Sequence, residues 1–348
     1  MQGQMIRTIT TGPLPSAVVT MPDVGIRYVA ESGDDSNDGL SWATAKRTIA
    51  AGVSCLPNSW PRKGGRVYVG NGIYPVTELV VTTQNVHISG VSAGGTVLVP
   101  QGNFGIKFHR ADHCAISDVQ FDNLKALKYS TFYGRALWVS SSKFCVLDNV
   151  WFHQLSQDYA GDSNLDVAPA AVYVDGTATF ADWHKLRTLD VWGCYRGVVL
   201  ANNGNLQISD STFRACIAES FYALRRDIGN GGAGGTSAII GCWFAGTSAG
   251  NAGYLVYLDT DPAYSDSYTG TKLVGCITEP MMNSGKNHIY TNMSNVIIDA
   301  HTFTGTGNGV AVFFDVLGNH CVVGVNRKTG SQGPDPIFVD NGQDNTWG

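Results

Sequence analysis

With 348 residues, 43% of them hydrophobic and 15% charged, the chain is long enough for a large core and too apolar to be intrinsically disordered. A formal net charge of −5 gives no basis for a nucleic-acid or anionic-membrane partner. No apolar run reaches the about 18 residues of a membrane helix, and the 42 glycines follow no Gly-X-Y period, so they mark turns between strands.

Residues 1–26 carry three prolines, a single Arg and no continuous apolar core. They make a poor secretory signal and read as an extended arm that packs on the domain or attaches it to something larger. Arg27-Tyr28-Val29-Ala30 is a short strand, and a polar turn from Ser32 to Gly39 follows it. Residues 41–53 have helical spacing, with Ser41 as N-cap and Trp42, Ala45, Ile49 and Val53 on one face. Strands are expected at 64–69 and 72–75, then at 78–81, 86–89, 96–99 and 105–108.

From residue 115 a frame repeats. Ala115-Ile116-Ser117-Asp118-Val119-Gln120-Phe121 returns as Val146 to Phe152, Gln207 to Phe213, Ala238 to Phe244 and Ile297 to Phe303. Each copy has an aliphatic start with Phe five positions later, and weaker copies start at Ile88, Leu186, Leu273 and Val323. Successive starts lie 28, 31, 39, 22, 31, 34, 25 and 25 residues apart, a solenoid period. The start and the positions three and five after it should face inward. The second position after it (Asp118, Asn149, Thr188, Asp210, Gly241, Gly275) suits a bend between two short strands. A third strand closes each coil at 136–139, 171–174, 197–200, 221–224, 254–258, 288–290, 311–314 and 337–339. Nine or ten coils at about 4.8 Å each would make a rod roughly 45 Å long.

The frame also accounts for the cysteines. Cys114, Cys145 and Cys321 lie two residues before a start, Cys242 and Cys276 three after, and Cys194 and Cys216 eight after. Equal offsets stack them as small buried hydrophobes, which predicts reduced thiols. His184 and His301 fall in inward columns and read as core histidines.

The order YVA…SGDDSNDGLSWATAKRTIAAGV…GGRVYVGNGIY over residues 27–75 resembles the N-terminal cap of the pectate-lyase-like right-handed parallel β-helix superfamily, in which a short helix plugs the open end of the coil. The resemblance implies an all-β right-handed parallel β-helix with a short N-terminal capping helix, divided into an arm (1–26), a strand–helix cap (27–75) and the β-helix (76–348). Many members are bacteriophage tailspikes or polysaccharide-degrading enzymes. It therefore implies a virion protein that binds, and in some members depolymerises, a bacterial surface polysaccharide, commonly as a homotrimer. With no signal peptide, the arm would attach it to a virus particle. The competing readings are a non-catalytic adhesion or structural protein and a polysaccharide lyase or hydrolase of other origin.

Long loops concentrate between 123 and 271, which places a site on the middle coils. At the end of the third strand, the equivalent positions Ser140, Asp175, Ala201, Arg225, Asp259 and Asp340 form an acidic column, flanked by Asp227 and Asp261. Two carboxylates about 5–9.5 Å apart would serve glycoside hydrolysis. Asp175, Asp259 and Glu219 are the catalytic candidates, and solvated turn residues are the alternative. Trp138 and Tyr173 point outward on neighbouring coils and, with Arg225 and Asp227, are substrate-binding candidates. Trp151 and Trp243 share another outward column. Flat aromatic rings suit the C–H faces of sugars, or a subunit contact. Asp158, Asp162, Asn164 and Asp166 are oxygen-rich but lack the Gly and bidentate Glu of a calcium loop. The cluster from Asp34 to Asp38 belongs to the cap turn. No metal and no cofactor are expected.

Overall fold

Each repeat start pairs with the next, as a solenoid requires. In the computed structural model Arg27, Val67, Ile88, Ile116, Leu147, Leu186, Ile208, Ile239, Leu273, Ile298, Val323 and Trp347 form one register column of twelve parallel strands. All nine starts named above fall in it, and twelve rungs give a rod of about 50 Å rather than 45 Å. The structure describes residues 25–58, 63–123, 132–156, 158–160, 169–176, 183–201, 205–225, 237–246, 253–260, 271–279, 286–304, 310–314, 321–324, 327–329, 337–340 and 346–347. The arm lies almost wholly outside these residues, as do most of the long loops.

Three strand faces make up each coil. The second face begins after the bend and carries Phe121, Phe152, Val191, Phe213, Phe244, Thr278 and Phe303 in register. Phe121 stacks on Phe152 with ring centroids 5.1 Å apart, and Phe213 on Phe244 at 5.0 Å. Parallel strands put identical side chains one rung apart, so rings stack face to face along the axis, each burial contributing about 1.5–3 kcal/mol. The third face closes the coil, and a single apolar core runs from Val29 to Val323. The result is the right-handed parallel β-helix expected from the repeats.

The bend column adopts left-handed backbone throughout. Asp118, Asn149, Thr188, Asp210 and Ala300 have φ between 49° and 57°, while Gly241 and Gly275 have 61° and 62°. Aspartate, asparagine and glycine tolerate this region, and a β-branched residue there is strained. Thr188 is solvent-exposed, so its replacement loses no packing. Thr188→Asn is expected to raise stability by about 1 kcal/mol, read as a higher urea midpoint at unchanged m; a lower midpoint would contradict the strain.

All eight cysteines are free thiols, and seven are buried. Burial pushes the Cys114 thiol up to about 11. The thiols donate inward, Cys194 to the Phe152 carbonyl at 3.3 Å and Cys276 to that of Ile239 at 3.4 Å.

The cap differs from a continuous helix over 41–53. Trp42–Thr44 is one 3₁₀ turn and the α-helix spans only Ile49–Ser54, N-capped by Thr48. Between them Lys46 runs beside the first strand, donating its N–H to the Tyr28 carbonyl and accepting from Ala30. That pairing takes the amides a helix would need. Trp42 is exposed, and Ile49 and Gly52 form the buried face of the plug. A Cβ at Gly52 would lie 2.8 Å from Val29, so glycine lets the helix seat on the first rung.

The acidic cap turn is bound internally. Asp35 accepts from the Arg47 and Thr48 amides and the Thr48 hydroxyl, Asp38 from the Leu40 amide and Thr44 hydroxyl, and Asp34 from Ser36. Its carboxylates serve as turn ties.

Candidate functional site

The outer surface of the third face gathers most of the residues expected to act. One outward column reads Lys107, Trp138, Tyr173, Val199, Tyr222, Tyr257 and Tyr290. A second reads His109, Ser140, Asp175, Ala201, Leu224 and Asp259. This register corrects two positions of the expected acidic column. Leu224, not Arg225, stands beside Ala201 and Asp259, and Arg225 pairs with Thr260. Asp340 pairs with Phe314, whose line leads through Thr291 to Leu258, so it is one column away from Asp259. Asp227 and Asp261 lie outside the described residues, as do Asp162, Asn164 and Asp166; the side chain of Arg225 is likewise not described.

The upper half of this surface is built on Trp138. The Lys107 Nζ lies 3.4 Å from its ring centroid and the Arg135 guanidinium 4.4 Å away. Arg135 also covers Tyr173 at 3.6 Å. Tyr173 is therefore buried, contrary to its expected exposure, and meets Trp138 edge to face at 6.0 Å. Burial holds the Lys107 amine below the ordinary lysine range, with Asp175 pulling the other way and Arg135 adding to the depression. Two cations on an aromatic pair, beside a carboxylate one residue-pair along, make an electropositive, partly apolar patch in which Lys107 and Trp138 are half-buried and Arg135 and Tyr173 buried.

The lower half holds the carboxylates differently. The buried Arg196 Nε donates to Glu219 at 2.6 Å, and its guanidinium lies 5.4 Å from the Tyr222 ring. Asp259 accepts from the Asn292 amide at 2.6 Å and the Tyr222 hydroxyl at 3.4 Å. Tyr222, Tyr257 and Tyr290 stack at 4.9 and 4.4 Å. Burial, and then the Asp259 charge, push the Tyr257 hydroxyl up to about 12. Between the halves lies an apolar saddle of Val199, Ala201 and Leu224 packed with Tyr173.

Asp175 and Asp259 do not form a pair. Their line runs Asp175, Ala201, Leu224, Asp259, three rungs and about 14 Å. Glu219 lies five residues before Leu224, the partner of Asp259, and is engaged by Arg196. By register the Asp175–Asp259 separation exceeds the about 5–9.5 Å spacing of a glycosidase pair, while Glu219 and Asp259 lie on adjacent rungs and both charges act on Tyr222 and Tyr257.

Two other constellations were not apparent in the sequence. On the first face, His87 Nε2 lies 3.0 Å from the Ser117 hydroxyl, with Arg66 Nη2 2.8 Å from Nδ1. An arginine only donates, so Nδ1 accepts and Nε2 carries the proton. His87 therefore donates to Ser117, the opposite of what an activated nucleophile needs. On the second face, His153 lies 3.4 Å from Asp190 and 3.2 Å from the Gln120 amide, while Arg214 binds both Asp190 oxygens at 2.8 and 3.0 Å. His184 and His301 are in the core, the Cys145 amide donating to His184 Nδ1. No group of three or more metal-ligating side chains occurs among the described residues.

No protein-family model matches the chain, and the search of curated proteins found no match. Solved structures do match. A rhamnogalacturonan lyase aligns over 92% of this chain and 87% of its own, with TM-score 0.57 and 10% identity. The pectate lyase Pel9A aligns over 90% of this chain and 79% of its own (TM-score 0.54, 11% identity). ORF18 of Geobacillus virus E2 aligns over 84% of this chain (TM-score 0.54, 15% identity), and the match spans 55% of the viral protein's length. Register, core and these likenesses define a right-handed parallel β-helix, the fold shared with these lyases.

Proposed function

We propose that this chain binds a bacterial surface polysaccharide along the outer third face, as a virion protein of the tailspike kind. The observation that carries the reading is Lys107 seated on the half-buried Trp138 ring, backed by the buried Arg135 and Tyr173 and continued by the tyrosine stack beside Asp259. The half-buried rings offer C–H contacts, Lys107 receives acidic substituents, and Asp259 with Asn292 receives hydroxyls. Structural likeness to two polysaccharide lyases and to a phage protein supports it. Binding is favoured over cleavage because Asp175 stands three rungs from Asp259 and Glu219 is engaged by Arg196. Homotrimer assembly and attachment through residues 1–26 belong to the same proposal.

An array of purified capsular polysaccharides and lipopolysaccharide O-chains provides the test. The wild type is expected to retain at least one acidic glycan, and Lys107→Ala/Trp138→Ala to weaken that binding at least tenfold. Equal binding by the double variant would refute the assignment of this face. Accumulation of reducing ends or of unsaturated uronate absorbance would show that the protein cleaves what it binds.

A further inference from the structure

The outer surface of the second face carries an independent feature. Its two outward columns read Gln120, Trp151, Asp190, Thr212, Trp243, Ile277 and Asp122, His153, Trp192, Arg214, Ala245, Glu279. Trp192 and Trp243 are 40% and 39% exposed, high values for indoles on regular strands, and Ile277 beside them is 38% exposed. The rings are fixed in place. His153 stands edge to face with Trp192 at 5.7 Å and stacks on Trp151 at 5.7 Å. The Trp243 indole N–H donates to Glu279 at 3.2 Å. Arg214 pairs with Asp190, Gln120 donates to Asp122 and Trp243 to Glu279, so the strip alternates oriented rings with hydrogen-bonding groups held in place.

We infer that this strip is a second glycan-binding surface, for a neutral polysaccharide chain lying along the rod axis. Its dimensions select the occupant. From Trp151 to Glu279 it crosses four rung intervals, about 19 Å, while two outward columns span only about 7 Å. An area on the order of 200 Å² is far below the about 800 Å² per partner of a stable protein interface. It fits one extended polymer. A peptide lying there would find no main-chain partner, since the strand amides beneath are spent in the rung ladder. A sugar chain needs none: its C–H faces cover Trp192 and Trp243, and its hydroxyls reach Asp190, Arg214 and Glu279. Arg214 stands against the carboxylates of Asp122, Asp190 and Glu279, so the strip favours an uncharged chain over an acidic one, in contrast to Lys107 on the third face.

Affinity electrophoresis through gels containing galactomannan, dextran or polygalacturonate tests this. Retardation is expected in a neutral gel, with the apparent Kd raised at least tenfold by Trp192→Ala/Trp243→Ala and at least threefold by Trp243→Ala alone. Trp138→Ala should leave neutral-gel retardation unchanged, so failure of the third-face reading is seen separately. The inference is overturned by no retardation of the wild type in either neutral gel, or by equal retardation of the variants. It is also overturned if sedimentation shows a wild-type oligomer that Trp192→Ala/Trp243→Ala dissociates, for the strip is then a subunit contact.

Discussion

Truncating Phe152 to alanine is expected to cost about 3–5 kcal/mol. Phe152 is fully buried, stacked on Phe121 above and in register with Val191 below. Neighbouring rungs are held at strand spacing by their hydrogen bonds, so the coil cannot collapse into the space the ring leaves. The cavity term is therefore retained along with the lost transfer free energy. Val191 already narrows the column one rung down, and two consecutive small residues would open a continuous void. The control is Phe144→Ala. That ring is 43% exposed and stacks on His113, so its loss should stay within about 0.5 kcal/mol. Urea unfolding of both variants checks the pair. Similar costs would mean that the phenylalanine column does not carry the stability assigned to it.

The register was legible because inward positions recur with fixed chemistry. Ile116, Leu147, Ile208 and Ile239, each followed five residues later by phenylalanine, occupy one column each in the folded coil. The bend was legible because Asp118, Asn149 and Gly241 are residues that accept left-handed backbone. The third strand was less so. Val198-Val199-Leu200-Ala201 is buried on both sides, its outer side under the second apolar cluster. A run without alternation leaves its register open by one residue, and that slip put Arg225 where Leu224 stands. The cap helix was overestimated because spacing at Trp42, Ala45 and Ile49 says nothing of Lys46 pairing with the first strand. Of the second-face strip only Trp151 and Trp243 were legible, as one outward column, and the rest was missed for a different reason. Asp122, His153, Trp192 and Arg214 are far apart in sequence and dissimilar in type. The signal that would have found them is the sixth position after each repeat start, read down the chain as one column.

Acid is expected to destabilise the protein sharply between pH 6.5 and 4, through two histidines in the core. Thr278 occupies the position where neighbouring rungs place phenylalanine, and the space is filled by His288 and His301. Their Nδ1 and Nε2 lie 2.7 and 2.9 Å from the Thr278 hydroxyl. A hydroxyl has one proton, so it can donate to only one ring, which must then be neutral, while the other ring donates its N–H to the hydroxyl oxygen; burial is what holds both rings neutral. Burial pushes His288 down to about 4, and burial together with the nearby His288 pushes His301 down to about 3. In the unfolded chain each titrates near 6.5. Between these values the unfolded state binds protons that the folded state refuses. The contribution is thus complete above pH 6.5 and declines as pH falls toward the folded values. Two such groups remove roughly 4 kcal/mol between pH 7 and pH 5. His301→Gln, which cannot charge, should be less stable at pH 7 yet lose about half as much on going to pH 5. Urea midpoints at the two pH values measure both numbers. If the variant loses as much as the wild type, the acid sensitivity lies elsewhere and the Thr278 triad tolerates a proton.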